Sequence, residues 1–176
     1  NSSHSILSVV TQPDRPKGRG QKNCASPIKI FANNNNIPLL QPENVNTQDF
    51  IKLLLKNRPD YIIVAAFGQI LHEDLLKVPL QFCINLHSSL LPKYRGAAPI
   101  NRAILNGDSI SGVTTMIMDK EMDTGDILLT QEIPIEKSED ANSLHDKLSE
   151  SGGTNLVTSV FGRTGDVVLT NADDVT

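Results

Sequence analysis

Tryptophan is absent from this chain, and two tyrosines and five phenylalanines are its only other aromatics among 176 residues. The core must therefore be aliphatic. Cysteine is scarce as well. Cys24 and Cys83 stand alone, without the spacing of metal ligands, and fit a reducing compartment as small core residues. The four histidines, His4, His72, His87 and His145, show no zinc spacing. No apolar run approaches the roughly 20 residues that span a bilayer. No charged-then-apolar leader opens the chain, so neither a membrane anchor nor a signal peptide is expected, and the expected location is cytoplasmic. The chain starts at Asn1 rather than Met, which points to a processed or excised polypeptide. An excess of positive charge is also lacking. The net charge of −4 argues against wholesale nucleic-acid binding and leaves room for a local basic patch.

What is present suffices for one domain with a full core. Ser5–Thr11 is a short β-branched run and reads as a buried strand. Residues 12–22 read as a loop by their Pro and Gly content. That loop carries Arg15, Lys17, Arg19 and Lys22 against Asp14, and Gly18 and Gly20 permit close approach, as in a flexible basic finger for a phosphate backbone. Ser26 and Pro27 form an N-cap and N1 pair for a short helix over 27–32, which the four-Asn tract 33–36 stops. A short strand is expected over 37–40. Phe50, Ile51, Leu54 and Leu55 have helical spacing within 47–57, and Pro59 ends that helix. Residues 61–66 are apolar throughout, as a parallel central strand should be. The segment Phe67, Gly68, Gln69, Ile70 and Leu71 follows at its C-terminal end, the ligand side of such a sheet, and 72–76 reads as a short helix.

Further on, helices are predicted over 99–105 and 141–150 and strands over 112–118 and 127–135. Residues 119–126 form an acidic loop between the two strands. Strands alternate with helices, so the class is α/β. After Gly153 the character changes. Residues 154–176, rich in Thr, Val, Gly and Asp, read as two short strands around a Gly-Arg-Thr-Gly turn and as a separate tail. The expected division is 1–153 and 154–176.

The chemistry concentrates in residues 84–99. Asn85 and His87 are two apart, and on a strand that spacing points both to one face. One is a neutral amide, the other a titratable imidazole. Asp123, before Thr124 and Gly125 in the acidic loop, offers a carboxylate that a tight turn could aim inward. A carboxylate within about 4–6 Å of an imidazole favours its protonated form. Amide, imidazole and carboxylate together suit attack on a carbonyl, with donors for a developing oxyanion and a base for the proton of the attacking group. Ser88 and Ser89 have no Gly-x-Ser-x-Gly elbow around them, which argues against a serine hydrolase. The acidic loop fails as an EF-hand: Thr124 stands at its sixth position and Thr130 at its twelfth. Gly18 to Lys22 is no Walker loop.

These residues carry a family resemblance. VTQPDRPKGRGQK, SPIK, FGQIL, CINLHSSLLPKYRGAAPINRAILNGD, GVTTMIMDKEMDTGDIL and LHDKL, within residues 5 to about 157, closely resemble the methionyl-tRNA formyltransferases. These belong to a wider group that includes glycinamide ribonucleotide formyltransferase. The basic loop favours the tRNA-directed branch. The resemblance implies a Rossmann-like open, mostly parallel sheet with helices on both faces. It implies transfer of a formyl group from 10-formyltetrahydrofolate to the α-amine of initiator methionyl-tRNA, through a tetrahedral intermediate and without a metal, by a monomer.

In that reading Asn85 and His87 stabilise the oxyanion, and Asp123 orients His87 and helps move the amine proton through water. The folate contacts Ser89, Leu90, Leu91 and Pro92 and the backbone of Phe67 to Leu71. Arg19 matches a position associated with the acceptor stem of the tRNA. The alternatives are folate-dependent formyl transfer to a nucleotide or sugar-nucleotide amine, and a non-catalytic phage-type structural or interaction protein. Two departures stand out. The family's first central strand and its second, β-barrel domain have no counterpart, and the last roughly twenty residues resemble phage tail-fibre-like repeats. With a central strand missing, isolated activity is expected to be weak or nil.

Overall fold

A computed structural model describes residues 4–17, 22–152 and 166–171. They fall into two units, one formed by Ser3–Cys83 with Gly165–Thr176, the other mainly by Ile84–Thr164.

The first unit is built on parallel strands. β1 (Ser5–Thr11) pairs in parallel with the short β4 (Leu39–Leu40), Val9 opposite Leu39. Helix α1 (Pro27–Asn34) lies between them in sequence and starts as its cap residues dictate. The Ser26 hydroxyl accepts from the Lys29 N–H, and Pro27 sits where no N–H is needed. The helix runs two residues further than expected, into the Asn tract, because Asn35 caps it through its own N–H and its side chain donates to the Phe31 carbonyl. Helix α2 (Gln48–Asn57) is capped by Thr47 and buries Phe50, Ile51 and Leu54 of the stripe its spacing predicts, while Leu55 is exposed. β5 (Tyr61–Ala65) is buried at Ile62, Ile63 and Val64, and the single turn α3 (Glu73–Leu76) follows. Val10, Val45, Phe50, Leu54, Ile62, Phe67, Leu71 and Leu75 together line a small apolar space in this unit. The core is aliphatic apart from two Phe rings, as the lack of aromatics requires.

Two features of this unit depart from the sequence reading. The basic stretch is not simply a loop. β2 (Arg15–Lys17) and β3 (Lys22–Cys24) pair antiparallel, Arg15 opposite Cys24 and Lys17 opposite Lys22. Pro16, which suggested a loop, fits a hairpin: it stands on a strand with one partner, and a two-stranded ribbon leaves its other edge unpaired. The second concerns the central parallel strand expected to be missing. β9 (Asp166–Asn171) runs parallel to β1 on one side, Val9 opposite Leu169, and parallel to β5 on the other, Ile63 opposite Leu169. These six residues belong to the stretch read as a tail. Residues 154–165, with the first of the two strands expected there, lie outside the described residues.

The second unit is antiparallel. β6 (Phe82–His87) leads into it and pairs with β7 (Ile110–Ile117), Asn85 opposite Met116 and His87 opposite Thr114. β7 pairs with β8 (Ile127–Pro134). Helix α4 (Pro99–Leu105) and helix α5 (Ala141–Ser151) complete it. The latter begins in a capping box, with Asp140 accepting from the Ser143 N–H and Ser143 accepting from the Asp140 N–H. Ala103, Val113, Ile133, Leu144 and Leu148 form its core. The α/β class holds, with parallel strand pairs in the first unit and antiparallel pairs in the second.

Gly112 marks where two pieces of this unit meet. A Cβ there would lie 2.2 Å from the Gln131 carbonyl oxygen and 2.5 Å from Leu90 Cδ2. The backbone oxygen belongs to the paired strand and has no room to retreat. Gly112→Ala is therefore expected to cost about 3 kcal/mol and to lower the melting temperature by about 6–12 °C in a thermal melt.

Candidate active site

Asn85 and His87 alternate on β6 and so share a face. Their antiparallel partners Met116 and Thr114 stand on that same face. The chain leaves β7 at Ile117, beside Ile84, and loops back through residues 118–126. Asp119 shapes this loop by accepting from the Glu121 N–H and the Thr124 hydroxyl. Gly125 closes it. A Cβ there would lie 1.9 Å from the Ile117 oxygen, and the Ile117 N–H donates to the Asp126 carbonyl at 2.9 Å. The Thr-Gly signal beside Asp123 thus reports a close backbone approach.

Asp123, at φ 54°, is the residue this turn presents. Its Oδ1 accepts from Asn85 Nδ2 at 3.3 Å. Its Oδ2 accepts from the Gly96 N–H at 2.8 Å and faces His87 Nδ1 at 3.5 Å. The His87 and Asp123 side chains are only 8% and 11% exposed, so water screens the pair poorly. The three residues singled out in the sequence are brought together. On the far side of the ring, His87 Nε2 lies 2.9 Å from the Tyr94 carbonyl oxygen. A carbonyl only accepts, so Nε2 carries the hydrogen and Nδ1 is the atom turned to the carboxylate.

The loop after β6 holds this arrangement. Ser89 is 1% exposed, and its hydroxyl donates to the Lys93 carbonyl at 2.6 Å. Buried Thr114 donates to the Ser89 carbonyl at 2.7 Å and accepts from the Leu91 N–H at 3.2 Å. The Ser89 hydroxyl is thereby spent on closing the turn, while Leu90, Leu91 and Pro92 form the turn itself. Tyr94, Gly96 and Ala98 alternate in the left-handed region, at φ 59°, 84° and 53°. That zigzag aims the Tyr94 carbonyl at His87 and the Gly96 N–H at Asp123. Sequence reasoning missed Tyr94, Gly96 and Thr114. Gly96 alone carried a signal; the others act through a backbone carbonyl and a buried strand hydroxyl.

Tyr94 also anchors the rim. Its hydroxyl donates to Asp108 at 2.8 Å and accepts from the Asn106 amide at 2.7 Å. Lys93 and Arg102 lie over its ring, 4.9 and 5.0 Å from the centroid. Lys93 Nζ sits 2.7 Å from Asp108.

The remaining expected residues lie in the first unit. Phe67 and Leu71 are buried, Ile70 is exposed, and Gly68 has φ 77°. Gln69 ties this segment down: its oxygen accepts from the Val45 N–H, and its amide donates to Gln12 and to the Glu43 carbonyl. In the basic hairpin, Arg15 pairs with Glu43 at 3.3 Å, both well exposed. Arg19 and the side chains of Lys17 and Lys22 lie outside the described residues. Cys83 is buried in apolar surroundings, which pushes its thiol up to about 12 and leaves it unreactive as a nucleophile. Among the described residues no three His, Cys, Asp or Glu converge as metal ligands would. No described helix is long and apolar enough to cross a membrane.

Fold and geometry together bring an amide, an imidazole and a carboxylate into one cluster at the end of a strand in an α/β fold. Comparison with known proteins narrows this. The profile of the formyl transferase family matches residues 1–160. Methionyl-tRNA formyltransferase of Geobacter sulfurreducens is 52% identical over 151 residues, 86% of this chain and 48% of its own length. That of Clostridium tetani is 54% identical over 164 residues, 93% of this chain and 53% of its own. A solved phosphoribosylglycinamide formyltransferase from Anaplasma phagocytophilum shares the fold, with a TM-score of 0.71 at 21% identity over 96% of this chain and 87% of that one. The chain belongs to the formyl transferase family. It spans about half the length of the curated relatives it matches.

Asp108 yields a test of the rim. Hydrogen bonds from Lys93 and then from Tyr94 hold its carboxyl below the usual aspartate range. A depressed carboxyl contributes stability above its unfolded value and loses it as pH falls through the folded one. Asp108→Asn is expected to melt below the parent at neutral pH, with the gap closing as the solution is acidified below the ordinary aspartate range, in melts across a pH series.

Proposed function

We propose that this chain carries the formyl-transfer chemistry of a methionyl-tRNA formyltransferase, moving a formyl group from 10-formyltetrahydrofolate to the α-amine of methionyl-tRNA. The observation that carries the reading is Asp123 held against both Asn85 and His87. The names of relatives about half identical over most of the chain support the acceptor.

The donor supplies an activated formyl carbon; the chain's residues supply the rest. The Asn85 amide has two hydrogens. One goes to Asp123, and the other is available for the formyl oxygen as it gains charge. His87 is less free than the sequence reading had it. Its Nε2–H is committed to the Tyr94 carbonyl and its Nδ1 faces Asp123. A charge on the formyl oxygen therefore competes with the Tyr94 carbonyl for the ring hydrogen. Asp123 accepts the hydrogen that the attacking amine must lose, directly or through water, and would return it to the departing folate nitrogen as the bond between that nitrogen and the formyl carbon breaks. The backbone of Leu90 to Pro92 is proposed to face the donor, with Ser89 acting beneath it through the turn.

Two measurements test this reading. Asp123→Asn keeps the size of the side chain but replaces one accepting oxygen with a donor, against Gly96 N–H or Asn85 Nδ2. Folate-dependent formylation of methionyl-tRNA is expected to fall about 10²–10⁴-fold, while the chain still melts cooperatively at a temperature lowered by the unpaired donors; full activity in the variant would contradict the assignment. Arg19→Ala tests the acceptor. Losing one phosphate contact should weaken tRNA binding and reduce the salt dependence of that binding by about one counterion, while formylation of a nucleotide-sugar amine should not respond.

A further inference from the structure

The first unit contains two buried strands, β1 and β5, that do not pair with each other. Val9 and Val10 on one and Ile62, Ile63 and Val64 on the other are at most 4% exposed. The strand between them comes from the far end of the sequence. Asp166–Asn171 pairs with β1 at six positions, from Ser5–Asp166 to Thr11–Asn171, and with β5 at five, from Tyr61–Val167 to Ala65–Asn171. Both pairings are parallel. The ladder on β1 shifts register between Ile6 and Ser8, whereas that on β5 is continuous.

We propose that the space between β1 and β5 is a strand-binding site whose occupant is this chain's own Asp166–Asn171, and that the first unit folds only when it is filled. The geometry demands an occupant. With one strand between them, β1 and β5 stand two strand spacings apart, about 9.5 Å. At that distance neither can reach the other's N–H and C=O groups. An empty slot would leave two rows of buried peptide groups without partners, and buried peptide groups are almost always paired. The slot asks for an extended segment that runs parallel to both neighbours, donates and accepts on both sides, and is apolar enough to lie among buried strands. The sequence Asp-Val-Val-Leu-Thr-Asn meets this description. It has two β-branched valines and a leucine at its centre, a β-branched threonine after them, and neither Pro nor Gly. Recognition by backbone pairing on both edges is the chemistry of β-strand addition, here completed from within the chain.

The experiment uses the full chain. Amide exchange in the parent protein is read for Val167 to Thr170 beside Ser8 to Val10 and Ile62 to Val64. The proposal expects the three groups to exchange at similarly slow rates. Fast exchange of Val167 to Thr170 with protected β1 and β5 overturns it, whatever any variant does. Val168→Pro removes an N–H from the middle of the ladder and is expected to abolish the cooperative transition or melt about 10 °C lower. Val168→Thr keeps the N–H and the branching and is expected to melt within a few degrees of the parent. A Val168→Pro chain that melts like the parent overturns the proposal. So does a parent whose mass in solution is twice that of the chain and whose melting temperature climbs with concentration, since the strand would then come from a second copy.

Discussion

The candidate site depends on one carboxylate that accepts from several directions at once. Asp123 stands at φ 54°, a conformation that costs an ordinary residue about 1–2 kcal/mol. Hydrogen bonds from Asn85 and Gly96 contribute about 1 kcal/mol each, which only offsets that cost. The excess comes from the loop around it: the turn at Asp119 and the backbone contact that Gly125 permits are local and made regardless of what Asp123 meets. The loop therefore places the carboxylate, and the carboxylate in turn orients Asn85 and His87. Chemistry on a carbonyl gains from such an arrangement because donors already in position need no rearrangement as charge develops.

The second support is the backbone of the loop after β6. Left-handed residues at Tyr94, Gly96 and Ala98 turn successive peptide groups in different directions, so one carbonyl meets the imidazole and one N–H meets the carboxylate. Buried Thr114 serves both the Ser89 carbonyl and the Leu91 N–H, fixing the near end of the loop to β7. Tyr94 fixes the far end through Asp108 and Asn106, with two cations over its ring. A side chain remote from the reacting atoms thus sets the tautomer of the central histidine, through its own main chain.

Much of this was legible in residue order because local rules dominate. Ser5–Thr11 and Pro99–Leu105 fall where they were predicted. Ser26, Thr47 and Asp140 cap helices as short polar side chains before apolar stripes should. Asn85 and His87 share a face because alternation on a strand requires it, and Asp123 was found through the turn residues beside it. What stayed hidden was non-local or carried by the backbone. The Tyr94 carbonyl has no signature in a side chain. The basic stretch has the composition of a loop and becomes a hairpin through the pairing of Arg15 with Cys24 and Lys17 with Lys22. The position of Asp166–Asn171 could not be read from a segment whose partners lie more than a hundred residues away. Hydrophobic pattern marks a strand but does not say between which neighbours it lies.

The chemistry of the site turns on where the hydrogen on His87 sits, since that decides what the imidazole offers Asp123 and what it can offer a formyl oxygen. Nitrogen-15 NMR of the His87 ring in the full chain reads this directly. The expected result is a hydrogen on Nε2, coupled to the Tyr94 carbonyl, with Nδ1 as the atom that senses the Asp123 carboxylate. A neutral ring with its hydrogen on Nδ1 and a bare Nε2 would contradict it.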